Sequence, residues 1–169
     1  LKGGFLAQTA NLVEGAPGTG KTTLGMQFIY NGIRYHNEPG LIVTFEEFPQ
    51  QYYRDAEGFG WDFRQLEREG KLRVIMTSPE VSRSDLESVG GMVESAAEEL
   101  GARRILVDSL THMERLSGKP SPDQEVRLRA LQYTFINALK REGLTAVLTK
   151  ESNALFGETY SQDNAAFVA

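Results

Sequence analysis

Cysteine is absent from this chain of 169 residues. That excludes a disulfide framework and any thiolate metal site. No apolar run approaches the ~18 residues of a membrane span, so no membrane association is expected. No secretory leader is visible, although the chain opens at Leu1 rather than Met; the cytoplasm is the default location, and a domain incomplete at both ends is expected. Excess positive charge is lacking too. Eighteen Lys and Arg against 23 Asp and Glu leave a net charge of -5, which gives no general attraction to nucleic acid. Internal repeats and low-complexity segments are also missing. What remains is 40% hydrophobic and 24% charged residues, a balance that fits one globular domain over residues 1–169 with its own core.

Local patterns predict alternating strands and helices. Asn11 to Glu14 reads as a strand leading into a glycine-rich loop. A helix is predicted from Lys21 to about Tyr35, with Leu24, Phe28 and Ile29 on one face. Gly40 to Phe45 is a continuous apolar run, the pattern of a strand buried on both sides. Two short helices are expected, Pro49 to Gly58 with proline in its first turn and Asp62 to Glu69, followed by a strand from Lys71 to Met76. The capping box Ser84-Asp85-Leu86-Glu87 opens another helix, which Gly101 stops. Arg104 to Asp108 is a strand ending in an acid. A second capping box, Ser121-Pro122-Asp123-Gln124, opens a helix running to Gly143, and Leu144 to Thr149 is a further strand. The alternation predicts an α/β fold with a mainly parallel sheet flanked by helices.

Gly15-Ala16-Pro17-Gly18-Thr19-Gly20-Lys21-Thr22 matches G-x-x-x-x-G-K-[ST] in full. The glycines let successive N–H groups turn toward one phosphate, and the helix that follows adds its positive end. The Lys21 ammonium is suited to β- and γ-phosphates and the Thr22 hydroxyl to magnesium; Thr23 follows within the same binding run. The motif sits between a strand and a helix, as its chemistry requires. ATP or a close relative, with Mg2+, is therefore the expected ligand.

Two acidic positions complete the expectation. Asp108 closes an apolar strand, on the edge where parallel α/β sheets bind ligands, and is expected to hold magnesium with Thr22; Ser109 could orient the same shell. Glu46-Glu47 follows the second strand, where a carboxylate can accept a hydrogen bond from a water attacking the γ-phosphate. Catalysis is expected of at least one of Glu46 and Glu47, together with Lys21. His112 and the run Thr149-Lys150-Glu151 are weaker candidates for phosphate sensing. Trp61, between Phe59 and Phe63, is expected in the core.

These segments together resemble the KaiC branch of the RecA-like ATPases. The resemblance rests on Asn11 to Thr23, Thr44-Phe45-Glu46-Glu47, Phe59-Gly60-Trp61-Asp62 with Gly70-Lys71-Leu72, Ile105-Leu106-Val107-Asp108-Ser109-Leu110, and the opening Gly3-Gly4-Phe5. It implies a RecA-like core, hydrolysis of the β–γ phosphoanhydride, and a homo-oligomeric ring, commonly a hexamer. A further protein partner is compatible with it. In that family the paired glutamates are catalytic, which carries to Glu46 and Glu47. A basic residue reaching the neighbouring subunit's site is expected beyond Ala169. Ala165-Ala166-Phe167 stands where self-phosphorylating domains of the family carry an adjacent Ser-Thr pair, so the resemblance implies an ATPase rather than an autokinase. Two rival readings stand beside this one. A RecA/RadA-type DNA recombination or repair ATPase is disfavoured because Arg115 and Lys119 are the only strong bases in the loop after Asp108. A nucleotide-binding regulatory module with negligible turnover is the other.

Overall fold

The computed structural model describes residues 4–45, 48–77, 82–111 and 143–152, with Val126, Tyr133 and Asn137; for 82–90 it describes the backbone path. Its elements are β1 (Ala10–Gly15), α1 (Lys21–His36), β2 (Gly40–Thr44), α2 (Pro49–Glu57), α3 (Phe63–Arg68), β3 (Leu72–Met76), α4 (Ser82–Leu100), β4 (Arg104–Asp108) and β5 (Thr145–Glu151). The helix expected after Ser121 lies for the most part outside the described residues. Among them, no helix is long and apolar enough to cross a membrane.

The five strands form one sheet in the order β1-β5-β4-β2-β3, and every pairing is parallel. Parallel neighbours need crossovers; α1 supplies the one from β1 to β2, α2 with α3 the one from β2 to β3, and α4 the one from β3 to β4. Side chains alternate between those faces. Leu41 and Val43 join Ile105, Val107, Ala146 and Leu148 in a core that includes Val93, Ala96 and Ala97 of α4. Ile42, Leu106 and Val147 point the other way, into a core built with Met26, Ile29 and Ile33 of α1 and Tyr52, Tyr53 and Ala56 of α2. All five β2 residues are buried, which explains why that strand reads as an unbroken apolar run.

Helix α1 is held against β4 at three levels. At one end, Thr22 Oγ1 donates to Asp108 Oδ2 at 2.8 Å. In the middle, Gly25 lies so close to β4 that a Cβ there would come within 2.3 Å of the Leu106 side chain. At the far end, Arg104 donates through Nη1 to the Phe28 carbonyl at 2.9 Å and through Nε to Glu38 at 2.6 Å. Its guanidinium also lies over the Phe28 ring, 4.7 Å from the centroid. Gly32 leaves that carbonyl reachable, since a Cβ at position 32 would meet the guanidinium at 2.4 Å.

Three local expectations change. Leu24 is exposed; the buried face of α1 is instead Gly25, Met26, Phe28, Ile29, Gly32 and Ile33. Close helix–strand approach favours the glycines over a leucine there. Helix α4 begins at Ser82, so Ser84 is already helical and not at the cap position. Trp61 is half-buried at the core's edge, stacked between Tyr30 and the exposed Phe59 at centroid distances of 5.5 and 4.9 Å, while Phe63 is fully buried. Asp62 caps α3, accepting from the Gln65 N–H at 2.8 Å, as its position before the helix leads one to expect.

Gly25→Ala tests the α1–β4 contact. Alanine improves helix propensity by ~1 kcal/mol, but the added methyl overpacks a buried site, at a cost of about 1–3 kcal/mol. Net destabilisation is expected by thermal unfolding, with Leu106→Ala in the same chain relieving the clash. A Gly25→Ala variant at least as stable as the wild type would show that the helix stands off from the strand.

Candidate functional site

Because all strands are parallel, their C-terminal ends share one edge of the sheet, the edge where such folds hold ligands. Gly15 ends β1 beside Glu151 of β5, and Thr44 ends β2 beside Asp108 of β4. Strand β5 lies between the glycine-rich loop's strand and the strand of Asp108. A cleft of about 310 Å³ opens there. It is lined by Pro17, Gly18, Gly20, Lys21, Thr22, Thr23, Thr44, Tyr52, Asp108, Ser109 and Glu151.

The loop's shape follows from its residues. Gly18 and Gly20 have φ of 76° and 86°, the left-handed region that glycine enters without a Cβ clash. Gly15 sits against Thr19, whose Oγ1 would be 2.9 Å from an added Cβ. The Thr19 hydroxyl donates to the Ala16 carbonyl at 2.8 Å and pins the turn. Helix α1 then starts at Lys21 with no side-chain cap and no acid in its first turn. Its first N–H groups and positive end therefore remain available to an anion. Lys21 Nζ donates to the carbonyls of Gly15 and Ala16, each at 2.9 Å. An ammonium has three protons; among the described residues the third has no partner, and Lys21 lines the cleft.

Asp108 is the centre of the site's polar contacts. Its Oδ2 accepts from Thr22 Oγ1 at 2.8 Å and from the Tyr52 hydroxyl at 2.7 Å. Its Oδ1 accepts from Thr149 Oγ1. Ser109, next in the chain, is buried, and its hydroxyl finds no hydrogen-bond partner among the described residues. This donor set is all oxygen: a carboxylate and hydroxyls. It fits a hard cation such as Mg2+, which takes one or two carboxylates together with phosphate oxygens. Among the described residues no group of three His, Cys, Asp or Glu could hold a metal alone, and a metal shared with phosphates needs none.

The structure brings the sequence-predicted Gly15–Thr23 run and Asp108 to a single cleft. Glu46, Glu47 and His112 lie outside the described residues. Thr149 is fully buried and bonded to Asp108, so it does not face the cleft as a phosphate sensor would. Glu151 does line the cleft, and its backbone N–H donates to Thr111 Oγ1 at 2.7 Å. Tyr52 and Thr44 were not legible as site residues. Thr44 had the strand-end signal that marks Asp108, whereas Tyr52 carries no local signal beyond its place in a short helix.

A parallel sheet covered on both faces, with a phosphate-type loop at one strand end and an acid at another, defines a RecA-like P-loop domain. Comparison with known proteins narrows the class. A family profile described as "ATPase: KaiC" matches residues 1–168. The circadian clock oscillator protein KaiC of Synechococcus elongatus is 36% identical over 161 residues, covering 92% of this chain and 30% of that protein. The protein of the same name from Parathermosynechococcus lividus is 37% identical over 161 residues, covering 92% of this chain and 29% of that one. A Nostoc relative is 32% identical over 166 residues, or 94% and 31%. The chain belongs to the KaiC ATPase family, and it spans about 30% of the length of the curated relatives it matches.

Proposed function

We propose that this domain binds ATP with Mg2+ in the cleft and hydrolyses it by attack of water on the γ-phosphate, within a homo-oligomeric ring. The observation that carries the reading is the direct bond from Thr22 of the glycine-rich loop to Asp108, across 86 residues of chain. It joins a phosphate-holding loop to an acid of the type that holds magnesium in P-loop enzymes. The loop N–H groups and the Lys21 ammonium stabilise the charge that builds on the phosphate oxygens. A magnesium ion held there would supply positive charge that draws off part of the charge building on the phosphates. Thr22 and Asp108 are the residues that would hold it.

Glu46 and Glu47 supply the base in this proposal. Strand β2 delivers the chain to the ligand edge: Thr44 lines the cleft, and the Phe45 N–H donates to the Asp108 carbonyl at 3.2 Å. The two acids come next, each residue adding at most ~3.8 Å of chain. One carboxylate orients the attacking water and accepts its proton as the P–O bond to ADP breaks, leaving ADP and inorganic phosphate. The ring is proposed from family membership and the relatives' domain, with nucleotide between neighbouring copies.

Lys21→Ala removes the charge facing the phosphates while leaving a half-buried surface position. A fluorescent ATP analogue is expected to bind the folded variant much more weakly; unchanged affinity and turnover would mean the loop is not the site. Glu46→Gln with Glu47→Gln keeps size and hydrogen bonding but removes the base. Mg-ATP affinity is expected to change little while phosphate release falls ~10²–10⁴-fold, a few kcal/mol in the barrier by the usual conversion. Wild-type rates in the double variant would assign these acids to the surface. Negligible phosphate release by the wild type itself, with tight ATP binding, would favour the regulatory-module reading. Light scattering of the full-length protein is expected to show a larger species with Mg-ATP than without nucleotide; a monomer under both conditions argues against the ring.

A further inference from the structure

Helix α2 sends two neighbouring phenols to two different carboxylates. Tyr53 donates to Glu67, away from the cleft, under the guanidinium of Arg64. Tyr52 donates to Asp108 Oδ2 at 2.7 Å, and the residue is only 1% exposed. The ring belongs to the core shared by α1, α2 and β3. The hydroxyl is the part that reaches the site. A phenylalanine would pack the same space, so packing accounts for the ring and not for the oxygen.

A carboxylate offers about four acceptor positions, two on each oxygen. On Asp108, Thr22 and Tyr52 fill both on Oδ2, and Thr149 takes one on Oδ1. Among the described residues' contacts, a single acceptor position is left. A metal ion or one proton of a metal-bound water could use it, whereas ligation through both oxygens finds no room. We infer that Tyr52 is a positioning residue that fixes the orientation of Asp108 as a holder of the nucleotide's magnesium. The inference rests on the ATP–magnesium reading above and adds to it a specific residue that no loop motif contains. Tyr52 also stands five residues after Glu47 on the helix that follows the glutamate pair. The same bond thus ties the segment after the proposed base to the proposed metal-side acid.

The test measures binding rather than turnover. The affinity of a fluorescent ATP analogue is followed across a Mg2+ titration and in EDTA, for the wild type, Tyr52→Phe, Asp108→Asn and the double variant, with thermal unfolding as the control for folding. For Tyr52→Phe the affinity in EDTA is expected to stay within about twofold. The Mg2+ concentration at half-effect is expected to rise roughly 10-fold, the scale for losing an outer-shell partner. In the Asp108→Asn background the same change is expected to add nothing, since the hydroxyl acts through that carboxylate. In the wild type, the ζ-carbon resonance of labelled Tyr52 is expected to move when Mg2+ is added to nucleotide-loaded protein; this readout needs no variant. An unchanged Mg2+ half-point in folded Tyr52→Phe, an equal shift in the Asp108→Asn background, or a resonance that ignores Mg2+ overturns the assignment while the nucleotide reading stands. If Mg2+ does not alter nucleotide affinity in the wild type, the magnesium reading fails and this assignment fails with it.

Discussion

The site depends on one half-buried carboxylate and the hydroxyls that solvate it. An anion taken partly out of water needs hydrogen bonds to replace the lost solvent, and for Asp108 they come from three elements. Thr22 represents α1, Tyr52 α2 and Thr149 β5. Hydrogen bonds to a charged group contribute about 1.5–3 kcal/mol each, more than neutral ones. The helices on one face of the sheet are thereby fastened to the central strand at the edge where the ligand cleft opens. Each bond is both a stabilising contact and a part of the site's geometry.

The opposite end of α1 shows why that fastening can be precise. Arg104 grips the Phe28 carbonyl and Glu38 at the start of β4, and Gly25 and Gly32 let the helix lie close along the strand. A helix held at both ends cannot slide, so its first turn stays in register with the end of β4. The positive N-terminus, Lys21 and Thr22 then face the cleft together. Preorganisation of this sort is what a charge-stabilising site requires, since donors that must move on binding lose part of their effect.

Some of the local reading failed for instructive reasons. Leu24 fits an apolar stripe by spacing, but the face against β4 is chosen by size as much as by polarity, and two glycines lie on it. The box at Ser84 has the right letters for a helix start, yet α4 starts two residues earlier. Trp61 has the composition of a core residue but ends as the middle ring of a stack at the core's edge. In each case a local pattern was compatible with more than one phase or depth, and packing selected one.

The sequence by itself determined the chemistry of the loop and the class of fold. A run of glycines with Lys21 and Thr22 between a strand and a helix serves few purposes, and alternating apolar segments of strand and helix length specify a covered parallel sheet. Asp108 was legible because the end of a strand is a local property. The order of the strands was not. Nothing local says that β5 inserts between β1 and β4, or that α2 turns Tyr52 toward the end of β4. The contacts that assemble Asp108's shell span 41, 56 and 86 residues, and each exists only once the sheet order brings those segments side by side. Tyr52 and Thr149 became part of the site because a half-buried carboxylate must find its donors among whatever side chains the tertiary fold places beside it.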